Sequence, residues 1–506
     1  MSTFHGLETA VRGLRTHQSA LRTTGHNIAN ANTPGYSRQR VNFSQTGAFP
    51  APGRNRPEIP GQIGTGVEAG TIQRIREGFL DIQFRGETTK SGYWTARSEA
   101  LHKMEEIMNE PSDFGLAKTM DRFWQSLQDL AANPEGSARS VVRQRGIALA
   151  DTFGYLSTSL SSVKNDLENQ TMITVKTINS IASQINDINK QISEIEPHGY
   201  LPNDLYDQRD LLVDKLSEYV NVKVTPVANG GHSLQVAEGK YTIDIVDDAG
   251  NSIGTLVDGA NLTADTISIK DTDADGAFDQ YAIGASAGNI GNFASGKLKG
   301  LIESYGYEDT SGKKTGDYIE MLASLDEMAY RFAKAFNDQH QQGTDLNGNA
   351  GGNFFSFTSP VSGTDFAGAA SMMKLDSAIT GPNGLDKIAA SGDGFAGDGS
   401  NALALADVKD QSLTFTSGDT SVQLFYEGVI GEMAVDAQQS NRLMDNASTL
   451  KQSVEARRQS VSGVSLDEEM AKMVQFQHAY NAAARNITTI DEMLDRIING
   501  MGRVGR

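Results

Sequence analysis

Both ends of this chain carry the seven-residue apolar repeat of a coiled coil. In the first stretch, apolar residues recur in steps of three and four as far as Ile28. Such steps place them on one face of a helix, so the pattern predicts a helix with a narrow apolar seam. Pro34 disfavours helical geometry in the residue before it and marks the end. The seam positions are Phe4, Leu7, Val11, Leu14, Gln18, Leu21, Gly25 and Ile28, of which Gln18 and Gly25 are defects.

The last stretch repeats the pattern over a longer helix. Ser465 and Glu468 have the spacing of a capping box, which predicts that the helix begins there. Further apolar residues flank the seam, so this stripe is wider than the one on the first helix. The seam positions are Leu466, Met470, Met473, Gln477, Tyr480, Ala484, Ile487, Asp491, Leu494, Ile498 and Met501, and the flanking residues are Phe476, Ile490, Met493 and Ile497.

Neither terminal helix is expected to be stable alone. Isolated helices are marginal in water, and Gly6, Gly13 and Gly25 weaken the first one further. The two helices match in pattern and length, so we predict that they pair. One such pair leaves part of the wider stripe exposed, which predicts additional contacts with identical copies. The alternative is a closed monomeric bundle that uses both ends as its core.

The middle of the chain has the pattern of a helical bundle with insertions. Residues 221–295 carry short β-type runs divided by Gly, Asn and Asp. Residues 343–427 are rich in Gly, Ser and Asp and end in two strand-like runs, LTFT and VQLFY. The pattern predicts a mainly α protein with β insertions, of the α+β class. The predicted helices span 116–130, 137–196, 204–219, 297–306, 317–341, 401–409 and 429–461.

These elements predict four parts. The terminal segments and the helical segments are each interrupted in sequence, so the chain must leave and re-enter the same part of the fold. We predict a terminal coiled-coil core at 1–36 and 463–506, an elongated helical domain at 37–220, 296–342 and 396–462, an outer β-rich domain at 221–295, and a loop or small outer subdomain at 343–395.

Composition excludes several classes of function. The 506 residues include no cysteine, which removes disulfides and Cys-ligated metal centres. A formal net charge of −19 argues against binding to nucleic acid, although Arg12, Arg15 and Arg22 make the first helix locally basic. No apolar run reaches the roughly 20 residues of a membrane span, so no membrane insertion is expected. The start has no secretory signal peptide, and composition alone therefore predicts a cytoplasmic protein.

One short run resembles the beginning of a calcium loop. DTDADGAFD at 271–279 would offer the oxygens of Asp271, Asp273 and Asp275, but Ala282 stands where a bidentate Glu is needed. A plain acidic β-turn is therefore favoured over a metal site. The eight histidines lack metal-ligand spacing, and phosphate loops, dinucleotide motifs and nucleophile elbows are absent from the sequence. We predict no enzyme activity and no cofactor.

Two longer motifs resemble those of a known family. Residues 23–39 read TTGHNIANANTPGYSRQ, similar to the N-terminal motif of bacterial flagellar rod, hook and hook-associated proteins. Residues 463–500 read GVSLDEEMAKMVQFQHAYNAAARNITTIDEMLDRIING, similar to their C-terminal motif. A hook or distal rod protein is the alternative to a hook-associated member. Four interior runs resemble the hook-associated members at the junction of hook and filament: LYDQRDLLVDKLSEYVNV (205–222), SGKLKGLIE (295–303), FNDQHQQGTDLNG (336–348) and GDGSNALALADVKD (397–410).

The resemblance implies a structural role without catalysis. The paired termini would line a hollow axial tube, with the helical domain around it and the β-rich parts outside. Copies would assemble at the distal end of the hook, between the hook protein and hook-associated protein 3. An export chaperone would bind the C-terminal helix. The chain would be exported through the flagellar type III apparatus to an extracellular site. The resemblance therefore overrides the cytoplasmic location that composition alone predicts.

The resemblance also assigns residues to these roles. The motif at 23–39 would end the core helix and redirect the chain outward, through the family turn residues Asn27, Asn30, Asn32, Pro34, Gly35 and Tyr36. The assembly core would consist of Phe4, Leu7, Val11, Leu14, Leu21, Ile28, Met470, Met473, Tyr480, Ile487, Leu494 and Ile498.

Overall fold

The computed structural model of the chain describes residues 4–50, 53–54, 61–273, 275–359, 361 and 365–500. None of the helices in these ranges combines the length and apolar composition that crossing a bilayer requires. The helices are α1 (Phe4–Ala29), α2 (Gly78–Met108), α3 (Leu116–Ala132), α4 (Gly136–Ile195), α5 (Asn203–Tyr219), α6 (Lys297–Tyr305), α7 (Asp317–His340), α8 (Ala369–Met372), α9 (Ser377–Thr380), α10 (Ser400–Asp407), α11 (Val422–Ser462) and α12 (Leu466–Gly500).

The strands are short and pair only antiparallel with one another. They are β1 (Gln39–Gln45), β2 (Val67–Arg74), β3 (Val222–Val227), β4 (Lys240–Val246), β5 (Ser252–Asp258), β6 (Thr263–Ala264), β7 (Ile267–Lys270), β8 (Gln280–Ile283), β9 (Ser286–Asn289), β10 (Tyr307–Glu308), β11 (Lys314–Thr315), β12 (Phe355–Phe357), β13 (Met373–Leu375), β14 (Leu413–Phe415) and β15 (Gly418–Thr420). Strands β3 to β6 form a four-stranded sheet in that order, β7 to β9 form a three-stranded sheet, and the remaining strands form two-stranded ribbons. The predicted α+β class, mainly helical, is confirmed.

Helix α4 is the spine of the helical domain. Its 60 residues give a rod of about 90 Å at 1.5 Å per residue. Its apolar stripe weakens around Gln170 and Thr174, where a kink or break was possible, yet the helix continues without a break, and Thr171 and Thr174 are buried in its packed face. The hydroxyl of Thr171 donates to the carbonyl of Leu167 at 2.8 Å, which satisfies this polar group within the helix.

An aromatic cluster holds the bundle at one end of α4. Phe123 of α3 and Phe332 and Phe336 of α7 are fully buried, and so are Phe354 and Phe355 at β12. The ring centroid of Phe336 lies 5.1 Å from that of Phe354 and 5.4 Å from that of Phe355. The segment 343–395, predicted as a loop or small outer subdomain, thus contributes two rings to the core of the bundle.

The β-rich segment 221–295 packs along the C-terminal half of α4. The side-chain amide of Asn189 donates to the carbonyl of Tyr241 at 2.9 Å and accepts from its N–H at 3.0 Å. Asn179 makes the same two-point contact with Ile267, at 2.9 and 2.8 Å. The buried side chains of this segment belong to the same apolar cluster as those of the helices. The segment therefore shares its core with the bundle.

Helices α2 and α11 form an antiparallel pair on the other side of the bundle. Arg458, near the end of α11, lies 3.5 Å from Asp81 at the start of α2. Tyr426, near the start of α11, donates to Glu110, just beyond the end of α2, at 3.2 Å. The buried residues of α11 form one stripe, in steps of three, four or seven residues, and the face opposite this stripe is exposed.

Three elements differ from the sequence-based predictions. The run VQLFY, predicted as strand-like, is the first turn of α11, where the Ser421 hydroxyl accepts the N–H of Leu424 and caps the helix. Helix α2 was not predicted at all. The β1–β2 ribbon lies in a segment assigned to the helical domain, but it packs against α1.

Candidate assembly site: the terminal helix pair and its anchor

The two terminal helices pack against each other in opposite directions. A Cβ atom placed on Gly6 would lie 3.5 Å from Cδ1 of Ile490. The ring of His17 has its centroid 6.3 Å from that of Phe476. Farther along, the amide of Asn27 donates to the carboxylate of Glu469 at 2.9 Å. Contacts that move forward along α1 move backward along α12, so the pair is antiparallel, and the two ends of the chain meet as their matching patterns predict.

The seam of this pair is only half-buried. On α1 the predicted residues Leu7, Val11, Leu14, Leu21 and Ile28 are all partly covered, whereas Phe4 is exposed. On α12 the partly covered apolar residues repeat in steps of three and four, as a coiled-coil seam requires. The residues that follow these steps are Met473, Phe476, Tyr480, Ala483, Ile487, Ile490 and Leu494, and Ala479 and Ala484 beside them are also partly covered.

Two predicted core residues lie outside this seam. Met470 is 52% exposed and Ile498 is 71% exposed. The predicted repeat passes through both, whereas the contacts with α1 pass through Phe476 and Ile490, which had been placed beside the seam. The apolar stripe of α12 is wide enough for two seven-residue repeats, and sequence alone does not choose between them. Within the single chain, Met470 and Ile498 therefore take no part in the α1–α12 seam.

The most buried face of α1 is polar and turns toward the β1–β2 ribbon. Its buried residues are Thr16, Ala20, Thr23, Thr24 and Asn27. The hydroxyl of Thr16 donates to the carbonyl of Val67 in β2 at 3.1 Å. Phe43 of β1 completes a three-ring cluster, 6.0 Å from His17 and 6.0 Å from Phe476 between centroids. Helix α1 is therefore held between the ribbon and α12.

Asn27 ties four chain segments together. Its amide group donates to the carbonyl of Gln39 and to Glu469, each at 2.9 Å. Its oxygen accepts the N–H of Gln39 at 3.0 Å and the hydroxyl of Tyr36 at 2.8 Å. Asn27 and Glu469 are each only 1% exposed. All the hydrogen-bonding capacity of this buried amide is used, which fixes the end of α1, the turn, β1 and the start of α12 relative to one another.

The other turn residues divide into structural and exposed ones. The side chain of Asn30 donates to the carbonyl of His26 at 3.1 Å, and the backbone N–H of Asn30 donates to the same carbonyl at 3.1 Å, so Asn30 closes the last turn of α1 twice. Gly35 has φ of +80°, a left-handed conformation that favours glycine. Asn32 and Pro34 are exposed. The sequence motif thus brings Asn27, Asn30, Gly35 and Tyr36 into one turn.

A buried charge network lies where the terminal pair meets the helical domain. It joins β2, α2, α5, the segment before β4 and the end of α11. At its centre Asp210 accepts from Arg76 at 2.7 Å and from Arg74 at 2.9 Å. The members are Arg74, Arg76, Arg85, Arg209 and Arg458 with Asp81, Asp207, Asp210, Asp214 and Glu238.

The network fixes both connections to the terminal pair. After α1, the N–H of Ser37 donates to Asp207 of α5 at 3.0 Å. Before α12, Arg458 contacts Asp214 of α5 at 2.5 Å, and its guanidinium carbon lies 4.1 Å from the ring centroid of Phe84. Helix α5 therefore holds the segments on which the terminal pair is mounted.

The electrostatics keep the centre of this network, Asp210, ionised. Burial opposes the charged form of Asp210, but the guanidinium groups of Arg76, Arg74 and Arg85 outweigh it and hold the pKa of Asp210 well below its usual range. The same carboxylates raise the pKa of Arg74 and of Arg76 against the effect of burial. Removal of one partner would leave an uncompensated buried charge, which is strongly destabilising.

The sequence did carry a signal for this network. The run LYDQRDLLVDKL places Asp207, Asp210 and Asp214 at positions i, i+3 and i+7, on one face of α5. The apolar Tyr206 and Val213 lie next to them and are also buried. Carboxylates on the apolar side of a helix must find buried cations, and Arg74, Arg76 and Arg85 lie close together in the chain, from the end of β2 to the first turns of α2.

The two connections to the terminal pair run side by side around an open cavity of about 680 Å³. The turn at 31–38 forms one wall, and the end of α11 with the start of α12 forms the other. Arg38 bridges the walls, because its N–H donates to the carbonyl of Ser462 at 2.8 Å and its guanidinium contacts Glu468 at 2.6 Å. One half of the predicted capping box is present, since the Ser465 hydroxyl accepts the Glu468 N–H at 3.4 Å, and the Glu468 carboxylate contacts Arg38.

The acidic run at 271–279 lies in the connection between β7 and β8. Its carboxylates are occupied by the protein itself: Asp271 accepts the N–H of Gly276 at 2.9 Å, and Asp275 pairs with Lys314 at 2.8 Å. Asp273 is exposed. Among the described residues, no three His, Asp or Glu side chains are grouped as metal ligands. This arrangement is that of a turn closed by its own backbone.

Three family models match successive parts of the chain. The helical domain of flagellar hook-associated protein FlgK matches residues 101–355. The flagella basal body rod protein model matches residues 7–36, and the C-terminal model of the flagellar basal body rod FlgEFG proteins matches residues 457–500. The last two cover α1 with its turn and α12, which form the terminal pair.

Whole proteins match as well. Flagellar hook-associated protein 1 of Bacillus subtilis is 47% identical over 507 residues, which cover 100% of both chains. Flagellar hook-associated protein 1 of Escherichia coli is 27% identical over 577 residues, covering 97% of this chain and 99% of that one. The fold is similar to that of the flagellar hook junction protein FlgK from Burkholderia pseudomallei, with a TM-score of 0.57 and 17% identity over 76% of this chain and 100% of that chain.

The full-length similarity at 47% identity and the match to the hook-associated helical domain agree with the terminal motifs. The chain belongs to the flagellar hook-associated protein 1 family, and it is therefore a component of the bacterial flagellum.

Proposed function

We propose that copies of this chain assemble on the distal end of the hook and form the junction on which the filament is built. The terminal pairs line the inner wall of this axial structure, and the helical domains surround them. The observation that carries the proposal is the incomplete burial of the terminal pair. Among the described side chains of α12, only Glu469 is buried, whereas Met470, Val474 and Ile498 are more than half exposed. Clustered exposed apolar residues mark an interaction surface.

The same proposal names neighbours on both sides. The hook protein lies beneath the junction, and hook-associated protein 3 lies above it, followed by the filament. Before assembly, an export chaperone covers α12, because an amphipathic helix with an open apolar face suits binding in a groove. The chain leaves the cell through the flagellar type III apparatus and functions outside it. We assign it no catalytic step, since the buried ionisable groups described above serve its structure.

The alternative within the same family is a hook or distal rod protein. The long helices α4 and α7, at Gly136–Ile195 and Asp317–His340, argue against it, because the hook protein is mostly β between its terminal helices. Electron microscopy of a strain that lacks this chain separates the two roles. The junction role predicts intact hooks without filaments, whereas missing hooks would favour the alternative.

Deletion of the last forty residues, 467–506, tests the proposal. We expect the helical domain to stay folded, because α12 contributes no residue to its buried cluster. Fluorescence of Trp94 in α2 and Trp124 in α3 reports this domain. Filament growth on hooks should be lost. An Asn481→Glu chain, changed at an exposed polar position of α12, serves as the control and should support filaments. If the truncated chain still supports filament growth, the proposal is wrong.

A further inference from the structure

All the sulfur of this chain is in methionine. The sequence has 15 methionines and no cysteine, so no thiol competes with them for an oxidant. Oxidation of a methionine thioether to the sulfoxide turns a flexible apolar side chain into a polar one. The burial of each methionine therefore decides where an oxidant can reach the folded molecule and what it changes there.

The described methionines divide by region. Those in the buried core that the helical domain shares with its insertions are 1–7% exposed: Met104, Met108, Met120, Met321, Met328, Met373 and Met433. On α12, by contrast, Met470 is 52% exposed and Met493 is 57% exposed. Four others are partly covered, and two lie outside the described residues; these are Met172, Met372, Met444 and Met473, and Met1 and Met501. Exposed thioethers thus occur, among the described residues, only on α12.

Each exposed methionine belongs to a short apolar row along α12. Leu466 and Val474 lie four residues before and after Met470, and Ile497 lies four residues after Met493. Residues four apart are neighbours on a helix surface. The three apolar neighbours are themselves 41–52% exposed. A sulfoxide at either methionine would therefore place a polar oxygen in the middle or at the end of an open apolar row.

The packing of α12 on α1 does not depend on these two thioethers. The closest contacts of this pair pass through Phe476 and Ile490, which lie on a different part of the stripe. The core of the helical domain contains no residue of α12. Oxidation of the two exposed methionines would thus change the open surface of the terminal pair and leave both its seam and the core of the domain as they are.

We propose that Met470 and Met493 form an oxidation site through which a hydroperoxide blocks assembly of the free chain while its fold stays intact. The Sδ lone pair attacks one peroxide oxygen, and the S–O bond forms as the O–O bond breaks. The proton of the attacked oxygen passes to the released hydroxide, which leaves as water. Sulfur loses two electrons and the peroxide gains them. The proposal rests on the proposed function, because it requires neighbouring molecules to cover the open face of α12.

The added oxygen opposes this covering directly. A sulfoxide oxygen accepts hydrogen bonds from water, and an apolar contact offers it no donor in exchange. Burial of a polar group without a compensating hydrogen bond is unfavourable. The oxidised chain therefore loses part of the favourable transfer of its apolar rows out of water and has to desolvate a polar group at each of them.

Peptide mass spectrometry of the full chain treated with hydrogen peroxide tests the site. Met470 and Met493 should be oxidised at least about tenfold faster than the buried Met120 and Met328. The urea midpoint, followed by fluorescence of the two tryptophans, should stay the same. Equal rates at the exposed and the buried methionines, or a lower urea midpoint after oxidation at the two exposed positions, would overturn the proposal.

Binding to hooks isolated from a strain that lacks this chain tests the consequence. The oxidised chain should bind at least about tenfold more weakly than the untreated chain, and methionine sulfoxide reductases A and B should restore its binding. Met470→Leu with Met493→Leu should bind normally and resist peroxide, since leucine keeps the apolar rows without the sulfur. Equal binding before and after oxidation, or a leucine variant as sensitive as the natural chain, would overturn the inference. Failure of the untreated chain to bind hooks would contradict the proposed function itself.

Glutamine, which resembles the sulfoxide in size and polarity, supplies an independent measurement in cells. Met470→Gln with Met493→Gln should lower the number of filaments per cell at least tenfold, whereas the leucine pair should support normal filaments. Ala482→Gln, at an exposed position of α12 outside both rows, is the matched control and should have no effect. Normal filaments with the glutamine pair would overturn the oxidation site while leaving the junction role intact. Loss of filaments with the leucine pair would also overturn it, because the cause would then not be polarity.

Discussion

The helical domain and the terminal pair bury their apolar residues to very different extents. In the domain, Phe123, Phe332 and Phe336 are fully buried and surrounded by other rings. In the pair, Phe476 is only half-buried, and the one buried side chain described in α12 is Glu469. The domain therefore completes its core within one chain. The pair completes only one seam and leaves apolar residues of α12 exposed, among them Met470, Val474 and Ile498.

The charge network and Asn27, which together anchor the terminal pair to the helical domain, are buried like the core of that domain. Asp210 and Arg74 are buried, hydrogen-bonded and oppositely charged, and Asn27 uses every donor and acceptor of its amide. Such networks specify geometry, because partial satisfaction is costly. The terminal pair is thus loosely packed but firmly oriented, and this suits the proposed contact of its remaining surface with neighbouring copies.

Alanine substitution of one phenylalanine in each region tests this difference in burial most strongly. Phe336→Ala should lower the free energy of unfolding of the helical domain by about 3–5 kcal/mol, as expected for a large cavity in a packed core. Phe476→Ala should change the same quantity by less than about 0.5 kcal/mol, because the change lies outside that core. Urea unfolding followed by fluorescence of Trp94 and Trp124 measures both. Equal losses would show that the two regions share one core.

Asp210→Asn tests the anchor. It leaves Arg74 and Arg76 without their shared carboxylate, so we expect a loss of about 3 kcal/mol in the free energy of unfolding. Asp410→Asn is the matched control, since its side chain is 72% exposed and lies 4.0 Å from Lys409. An effect as small as that of the control would mean that the network does not hold the structure.

Asn27→Ala tests the link between the anchor and α12. The change removes one of the two side-chain partners of the buried Glu469 carboxylate, which keeps its ion pair with Lys472, and should raise the free energy of the native start of α12 by about 2 kcal/mol. Hydrogen exchange at residues 466–476 should accelerate accordingly, while the urea midpoint of the helical domain stays the same. Asn481→Ala, at an exposed position of α12, should alter neither quantity. Unchanged exchange in the Asn27 variant would exclude this residue as the link.

Asp326 gives a pH signature that belongs to the helical domain alone. Burial raises its pKa to about 6, although the N–H groups of Ala370 and Gly368 offset part of the effect. The folded protein therefore binds more protons than the unfolded chain between about pH 4 and 6, and this residue adds stability as the pH falls through that window. Relative to Asp326→Asn, the free energy of unfolding should rise by about 1–2 kcal/mol from pH 7 to pH 4. A constant difference between the two proteins would refute this assignment.

The sequence predicted the long helices well because their apolar residues recur with helical spacing. It failed at α2, which buries small and polar residues such as Thr88, Thr89, Gly92 and Ala96 against α5, α6 and α11. These residues form no apolar stripe, so only the neighbouring helices reveal that this face is inside. The failure at VQLFY has a local cause, since Ser421 caps a helix whose first residues are β-branched and aromatic.

The candidate site was likewise predicted only in part from the sequence. The turn motif and the pairing of the ends follow from the sequence, but the seam register does not, because Phe476 and Met470 lie on different parts of one wide apolar stripe. The charge network was missed because its members are separated by up to 384 positions, from Arg74 to Arg458. Taken singly, each carboxylate of α5 is typical of a solvent-exposed helix position. Only the fold brings the arginines next to these carboxylates.

Hydrogen exchange on the free, unassembled chain tests the central claim most directly. The account predicts that amides of α1 and α12 exchange at least a hundredfold faster than those of α3, α4 and α7, because the terminal pair lacks the neighbours that complete its burial. Protection of α1 and α12 equal to that of α4 would contradict it, since the pair would then be a finished part of the monomer.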